Sequence, residues 1–276
     1  YLLAAVSDPA FSPSGEHIAY TVSRGDRKRD EATSDIWSVA WSGGKPAQLT
    51  RTPGASEWQP RFSADGRSLF FLSDEGKDEI TQLRRVPARG GRTRRVTDIP
   101  GEILDFDLSP DGRRAIVVAE VGLNVGDKSD TPPPIETERF VFKRDGDGYL
   151  DDRTQQLFVV ELDGGKATRL TTGERDHWHP VWSPDGEFIA YTAKDRGASD
   201  RDLNYEIFIV PAGGGEPRRI STFEGADNDP DWETRPSWSA DSRRLVWVEG
   251  GEDKWFYYAP HQKWYRFRAF PSPEGL

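Results

Sequence analysis

Three aspartates, Asp227, Asp229 and Asp231, alternate along one short stretch. In an extended segment, alternate side chains share a face. Three carboxylates on one face could hold a cation or receive the ammonium group of a substrate. The competing reading is an acidic loop whose path is fixed by Pro230. A second acidic run, Asp145-Gly146-Asp147-Gly148-Tyr149-Leu150-Asp151-Asp152, invites comparison with a calcium loop. Such a loop needs oxygen ligands at its first, third and fifth positions, Gly at the sixth and Glu at the twelfth. Here the fifth is Tyr149, the sixth Leu150 and the twelfth Gln156, so the match ends after two ligands and the run reads as a solvated turn. His177 and His179 could ligate zinc from a strand, but no third ligand stands at a useful spacing. A serine nucleophile on a strand-to-helix elbow would show Gly-x-Ser-x-Gly, which is absent. No phosphate-binding or dinucleotide glycine motif occurs either. The residues offer no catalytic constellation, no metal centre and no cofactor site. The candidates for substrate or partner contact are Asp227, Asp229 and Asp231.

Composition narrows the partners. The 276 residues carry 37 basic and 47 acidic side chains, a net charge of −10. Nucleic-acid phosphates need a basic face, so that partner class is excluded. There is no Cys, hence no disulfide framework and no thiolate metal site. Cytoplasm and periplasm both stay open. No apolar run approaches the roughly 20 residues of a membrane helix, and no membrane partner is expected. Met is absent altogether, so the expectation is a processed chain or part of a longer one.

The elements that position these residues come from repetition. One phrase recurs five times: Phe11-Ser12-Pro13-Ser14-Gly15, Phe62-Ser63-Ala64-Asp65-Gly66, Leu108-Ser109-Pro110-Asp111-Gly112, Trp182-Ser183-Pro184-Asp185-Gly186 and Trp238-Ser239-Ala240-Asp241-Ser242. Recurrence at 46 to 74 residues marks an array of similar units. A serine written five times is scaffold rather than a unique nucleophile. In the phrase, Pro presets the first corner of a turn, Asp tolerates the second and Gly takes the positive φ that closes it. Ser242 replaces that Gly, so its turn should be more strained or of another type. A β-branched or aromatic stretch follows each phrase, such as Ser68-Leu69-Phe70-Phe71-Leu72, and reads as a strand buried on both faces.

A second phrase follows in four copies: a strand, a Gly-Gly turn and a short strand ending in a hydroxyl residue. From the second Gly to that residue is six positions every time, Gly44 to Thr50, Gly91 to Thr97, Gly165 to Thr171 and Gly215 to Ser221. Gly-Gly signals a tight hairpin. Helical periodicity is nowhere sustained. Four antiparallel strands per unit describe a blade, and the fold class is all-β, a β-propeller of four-stranded blades. Four blades are complete and a fifth is partial, with starts near residues 8, 58, 103, 177 and 234.

Interruptions mark loops. The Ser109 to Ser183 spacing is 74 residues, and the excess lies in an insertion over 122–153 within the third blade. It holds the extended Thr131-Pro132-Pro133-Pro134 and a strand-like Arg139-Phe140-Val141-Phe142-Lys143. Lys194 to Asn204 reads as an exposed hairpin loop, and Gly225 to Thr234 delays the fifth unit by six residues. Inserted loops often carry binding. The propeller spans 6–262, and 263–276 reads as a tail or the start of further blades.

The two phrases resemble the repeats shared by the Tol-Pal propeller protein TolB and the N-terminal propeller of prolyl oligopeptidase family serine peptidases. Two more segments are similar to the acylaminoacyl-peptidase-like members: Val6-Ser7-Asp8-Pro9-Ala10-Phe11-Ser12-Pro13 and Phe142-Lys143-Arg144-Asp145-Gly146-Asp147-Gly148-Tyr149-Leu150-Asp151-Asp152-Arg153. The resemblance implies a propeller of about seven blades covering an α/β-hydrolase domain that holds a Ser-Asp-His triad. The propeller would gate access for peptide substrates and dock on that domain of the same polypeptide. The triad has no counterpart here, so this chain alone should be inactive and no catalytic residue carries over. A homo-oligomer stays open. The alternative is a stand-alone TolB-like interaction propeller. A hydrolytic propeller using paired acids in a central channel is a third reading.

Overall fold

The computed structural model describes residues 4–26, 31–76, 80–122, 143–144, 148–149, 153–195, 204–222, 225–230, 234–250 and 265–271. Asp231, most of the 122–153 insertion with its acidic run and Thr131–Pro134, most of the 194–204 loop, and His261 lie outside them. No α-helix occurs among the described residues.

The first sheet is β1 (Ala4–Phe11), β2 (His17–Asp26), β3 (Glu31–Ala40) and β4 (Ala47–Gln48), in that order and antiparallel. The second repeats it with β5 (Glu57–Phe62), β6 (Ser68–Ser73), β7 (Gln82–Pro87) and β8 (Arg94–Arg95). The third takes β9 (Ile103–Leu108) and β10 (Arg114–Val121), then β13 (Thr154–Glu161) and β14 (Ala167–Arg169). Between them, the insertion contributes a two-stranded hairpin of β11 (Lys143–Arg144) and β12 (Gly148–Tyr149). The fourth is β15 (His177–Trp182), β16 (Phe188–Lys194), β17 (Tyr205–Pro211) and β18 (Arg218–Arg219). The fifth pairs β19 (Ser237–Trp238), β20 (Arg244–Gly250) and β21 (Tyr265–Pro271). Its third strand comes from the segment that the sequence set apart as a tail, because β21 carries neither repeated phrase. The chain is an all-β propeller of four-stranded antiparallel blades with a fifth, three-stranded one.

The chain divides into two compact units, Tyr1–Leu104 with Asp111–Ala115 and Val160–Thr168, and Asp105–Pro110 with Ile116–Val159 and Arg169–Leu276. In the first unit, Ala19, Ile36, Leu49, Leu69, Phe71 and Val86 form one buried cluster, with Phe62 packed on it. All six residues of β6 are buried, as its unbroken Leu-Phe-Phe-Leu run requires. Each such side chain contributes about 1.5–3 kcal/mol by leaving water. In the second unit, Ala190, Ile207, Ile209, Ile220, Leu245 and Trp247 do the same, with Val181 and Trp238 against them.

The repeated turn is built as its residues dictate. Gly66 N–H donates to the Ser63 carbonyl at 2.8 Å, and Gly186 N–H to Ser183 at 2.8 Å. The closing residue has positive φ in all five copies, including Ser242 at 58°. Ser242 thus keeps the turn type and accepts the left-handed backbone, the first of the two expected outcomes. Successive turns also touch: a Cβ on Gly112 would stand 3.3 Å from the Ala64 Cβ, so glycine serves space as well as φ there.

The six-residue spacing after Gly-Gly has a structural reason. The hydroxyl it places accepts the backbone N–H of the residue fourteen positions earlier: Ile36 to Thr50 (2.9 Å), Leu83 to Thr97 (3.0 Å), Leu157 to Thr171 (2.9 Å) and Ile207 to Ser221 (2.9 Å). Each hydroxyl then donates onward, to Glu57 (2.9 Å), Gln82 (2.9 Å), Gln156 (2.9 Å) and Glu206 (2.5 Å). The fourth strands are only two or three residues long. This clip therefore anchors the crossing to the next sheet where ladder bonds run out.

Candidate functional site

The first strands of three sheets share an irregularity. Asp8, Gln59 and His179 have φ of 52°, 55° and 50°, each just before a proline. The strand register slips there, between Ser7 and Ala10, Trp58 and Arg61, and Trp178 and Val181. Pro has no N–H for the ladder and belongs at a bulge. A bulge re-aims a side chain, and the position before the proline is polar each time. In the third and fifth sheets the equivalent residues, three positions before the Ser of the next phrase plus one, are Asp105 and Arg235.

In the second unit this row comes together. The Arg235 guanidinium donates to the Asp105 carboxylate, which also accepts its neighbour's backbone, Phe106 N–H, at 2.8 Å. His179 lies beside both. Burial pushes its imidazole below the ordinary range, with Asp105 opposing and Arg235 reinforcing that shift. Its ring meets Trp178 at 6.4 Å between centroids. A neutral imidazole beside an ion pair can hydrogen-bond a polar group. In the first unit, Asp8 accepts Thr21 Oγ1–H at 2.8 Å and Gln59 N–H at 3.4 Å. Sequence reasoning missed this row. Its signal was the Pro three residues ahead of four of the five repeated serines, at Pro9, Pro60, Pro180 and Pro236.

The other histidine is structural in its contacts. His177 Nδ1 lies 3.0 Å from the Gln155 carbonyl, so that nitrogen carries the proton. Burial lowers its pKa to about 4. The phrase serines are occupied by their own turns. Ser183 Oγ donates to Asp185 at 2.5 Å and accepts Phe188 N–H at 2.9 Å. Ser63 and Ser239 do likewise.

Of the expected carboxylates, Asp227 is fully buried. Its Oδ1 accepts Trp247 Nε1–H at 3.0 Å, and it forms a bridge with Glu249. Its N–H donates to the Tyr205 carbonyl at 2.8 Å. Burial raises its pKa to about 7, opposed by hydrogen bonds from Ser221 and Trp247 and reinforced by the charges of Glu206 and Glu249. Asn228, at φ 53°, turns the chain between Asp227 and Asp229, so the two do not lie in one extended run. Asp229 is half-buried, and Asp231 lies outside the described residues. By register, Asp227 opposite Glu249 matches Glu57 opposite Ser73, each four residues past a Leu that pairs with the phrase aromatic. Asp227 is thus the entry residue of the fifth sheet, and the six-residue delay loops out after it. Among the described residues no group of His, Asp and Glu could hold a metal ion.

Comparison with known proteins gives relatives for this architecture. No family model matches the chain. It is 31% identical over 222 residues to the uncharacterized peptidase YuxL of Bacillus subtilis, covering 75% of this chain and 32% of that protein. It is 28% identical over 273 residues to dipeptidyl-peptidase 5 of Porphyromonas gingivalis, covering 91% and 38%. The chain therefore spans about a third of the length of these relatives. Among solved structures, Pyrococcus horikoshii acylaminoacyl peptidase superposes with a TM-score of 0.67 at 16% identity, over 89% of this chain and 35% of that one. TolB from Acinetobacter baumannii gives 0.55 at 18%, over 89% and 51%. The β-propeller domain of the Trilobed protease from Pyrococcus furiosus gives 0.60 at 13%, over 98% and 70%. Repeat, fold and relatives agree, and the chain matches the propeller of a prolyl oligopeptidase family peptidase.

Proposed function

We propose that the chain is the propeller domain of an acylaminoacyl-peptidase-like serine peptidase, which docks on an α/β-hydrolase domain of the same polypeptide and limits access to peptide substrates. The observation that supports this reading is the alignment itself. It takes in 91% of the chain but 38% of a dipeptidyl-peptidase, so most of that relative lies beyond the part this chain matches. The occupied turn serines and the neutral, carbonyl-bound His177 fit a part that performs no hydrolysis itself. The polar row at Asp105, His179 and Arg235 is where such a propeller would offer contacts to a peptide. Asp227, Asp229 and Asp231 remain candidates for contact with a substrate or partner.

The test uses a serine-directed fluorophosphonate on this chain and on the full-length polypeptide that carries it. Labelling of the longer protein alone is expected, together with cleavage of short peptides and not of a folded protein carrying the same sequence. Labelling of this chain by itself would overturn the reading. An unlabelled longer protein would turn it toward a TolB-like interaction propeller.

A further inference from the structure

The clip that joins the first and second sheets differs from its neighbours in one chemical respect. In the second and third sheets the acceptor is an amide. Gln82 takes the Thr97 hydroxyl on its oxygen and gives its N–H groups to the Ile99 and Gly101 carbonyls, at 2.9 and 3.2 Å. Gln156 takes Thr171 and gives N–H to the Gly173 and Arg175 carbonyls, at 3.1 and 2.9 Å. Those clips are neutral and saturated. At the first crossing the acceptor is a carboxyl, Glu57, on the far side of the connection and with no exposed surface. Its Oε2 takes the Thr50 hydroxyl at 2.9 Å, and its Oε1 is buried, with neutral Thr52 as the other donor to the carboxyl. A buried carboxylate so held is costly, whereas the neutral acid needs fewer donors and has no charge to desolvate.

Among the described residues, the compensating cation is shared rather than dedicated to Glu57. Asp35 on β3 and Glu75 beyond β6 both act on Glu57 as like charges. Arg84 on β7 is the near cation, but it is committed to Glu75, at 2.6 Å to the carboxylate and 2.6 Å to the carbonyl. Asp74 adjoins the same connection, accepting Ser56 N–H at 2.7 Å. Thr50 and Thr52 are the neutral donors from the connection after β4.

We propose that the Thr50–Glu57 connection is a proton-operated latch: the protonated carboxyl closes it, and ionisation places a buried negative charge beside Asp35 and Glu75 that releases it. This goes beyond the peptidase reading and does not depend on it. Burial raises the Glu57 pKa to about 7, with hydrogen bonds from Thr52 and Thr50 opposing. The closed state therefore holds a proton that the open state, with an ordinary carboxyl, gives up. Closure is complete at acid pH, weakens as pH rises above the ordinary carboxyl range, and reaches its floor above about 7.

Hydrogen exchange by mass spectrometry on the intact protein, corrected for the intrinsic pH dependence of exchange, reads the latch directly. The segment spanning Thr50 to Phe62 should open about tenfold more at pH 8.5 than at pH 6. Glu57→Gln, neutral at both, should hold the segment closed at both. Asp35→Asn keeps the carboxyl and removes one repelling charge, which lowers the closed-state Glu57 pKa, so the opening should level off at lower pH and the tenfold change should shrink. Opening that does not vary with pH in the wild type, or that varies equally in Glu57→Gln, overturns the proposal.

Discussion

The Ser242 hydroxyl accepts the backbone N–H of Asp185 at 3.0 Å, joining the repeated turns of the fourth and fifth sheets. No glycine could do this. Where the other four copies use Gly to adopt positive φ without strain, the fifth uses a side chain to hold the neighbouring turn. A left-handed non-glycine residue costs roughly 1–2 kcal/mol, and a hydrogen bond returns about 0.5–1.5 kcal/mol. The two terms nearly cancel.

Ser242→Ala separates them. It keeps the strained φ and loses the bond, so it should destabilise by about 1 kcal/mol. Ser242→Gly removes strain and bond together and should stay within about 0.5 kcal/mol of wild type. Urea midpoints of the two variants, compared at constant m-value, decide it. Equal loss in both would mean the bond contributes everything and the strain nothing.

The hydroxyl clips give a second expectation. Thr97→Val is nearly isosteric, yet it leaves the Leu83 N–H without the partner it has at 3.0 Å and takes from Gln82 Oε1 one of its two donors, the other being Ile99 N–H at 3.0 Å. Both groups are buried, so the cost should be about 2 kcal/mol, more than a surface Thr→Val exchange. Thr97→Ser keeps the oxygen and should recover most of it. A Val variant as stable as wild type in a denaturant titration would remove the clip from the account of why the spacing is six.

How much of this was legible follows from what each residue's neighbours are. The phrase around Ser183 specifies its turn locally, since Pro184, Asp185 and Gly186 act within five residues, and the buried strand after it follows from composition. The bulge before Pro180 was equally local but went unread, because a single Pro ahead of a strand looks like punctuation. Asp227 could not be placed from sequence. Its burial depends on Tyr205, Trp247 and Val248, residues about 20 positions away on two strands, and on Asn228 adopting positive φ. Alternation of acids reads as a solvent-facing row unless those partners are known. The Asp105–Arg235 pair spans 130 residues and exists only through the repeat, which sets both at one strand position.

Asp227 carries a pH expectation with a definite sign. Its folded pKa is raised from an ordinary 3.8 to about 7, burial being the main cause. The folded state therefore binds a proton that the unfolded state releases. The stabilisation is complete below the ordinary value and is lost as pH rises through about 7. Asp227→Asn keeps an acceptor for Trp247 and abolishes the titration, so it should gain on the order of 4 kcal/mol over wild type at pH 8 and little at pH 4. His177 acts in the opposite direction, since its lowered pKa destabilises the fold only as pH falls below its ordinary value toward about 4. Chemical denaturation of wild type and variant from pH 4 to 9 separates the two. An Asn variant that tracks the wild-type profile would mean Asp227 is ionised and otherwise compensated.

Arg235 and Asp105 test whether the polar row acts as one unit. Their side chains are 27% and 12% exposed, so the pair is neither fully desolvated nor a surface bridge. Removing the cation alone leaves a largely buried carboxylate, and Arg235→Ala should cost about 1–3 kcal/mol, below the range for fully buried pairs. Asp105→Asn in the same protein should restore part of that loss, because the stranded charge goes with it. The histidine supplies an independent readout. Arg235 helps to hold the His179 pKa down and Asp105 works against it, so Arg235→Ala should raise that pKa and Asp105→Asn should lower it further. Titration of the His179 ring protons by NMR would show shifts of opposite sign. Two shifts of the same sign, or none, would mean that the three residues share a strand position without sharing a field. Their contact with a peptide would then have to be argued one residue at a time.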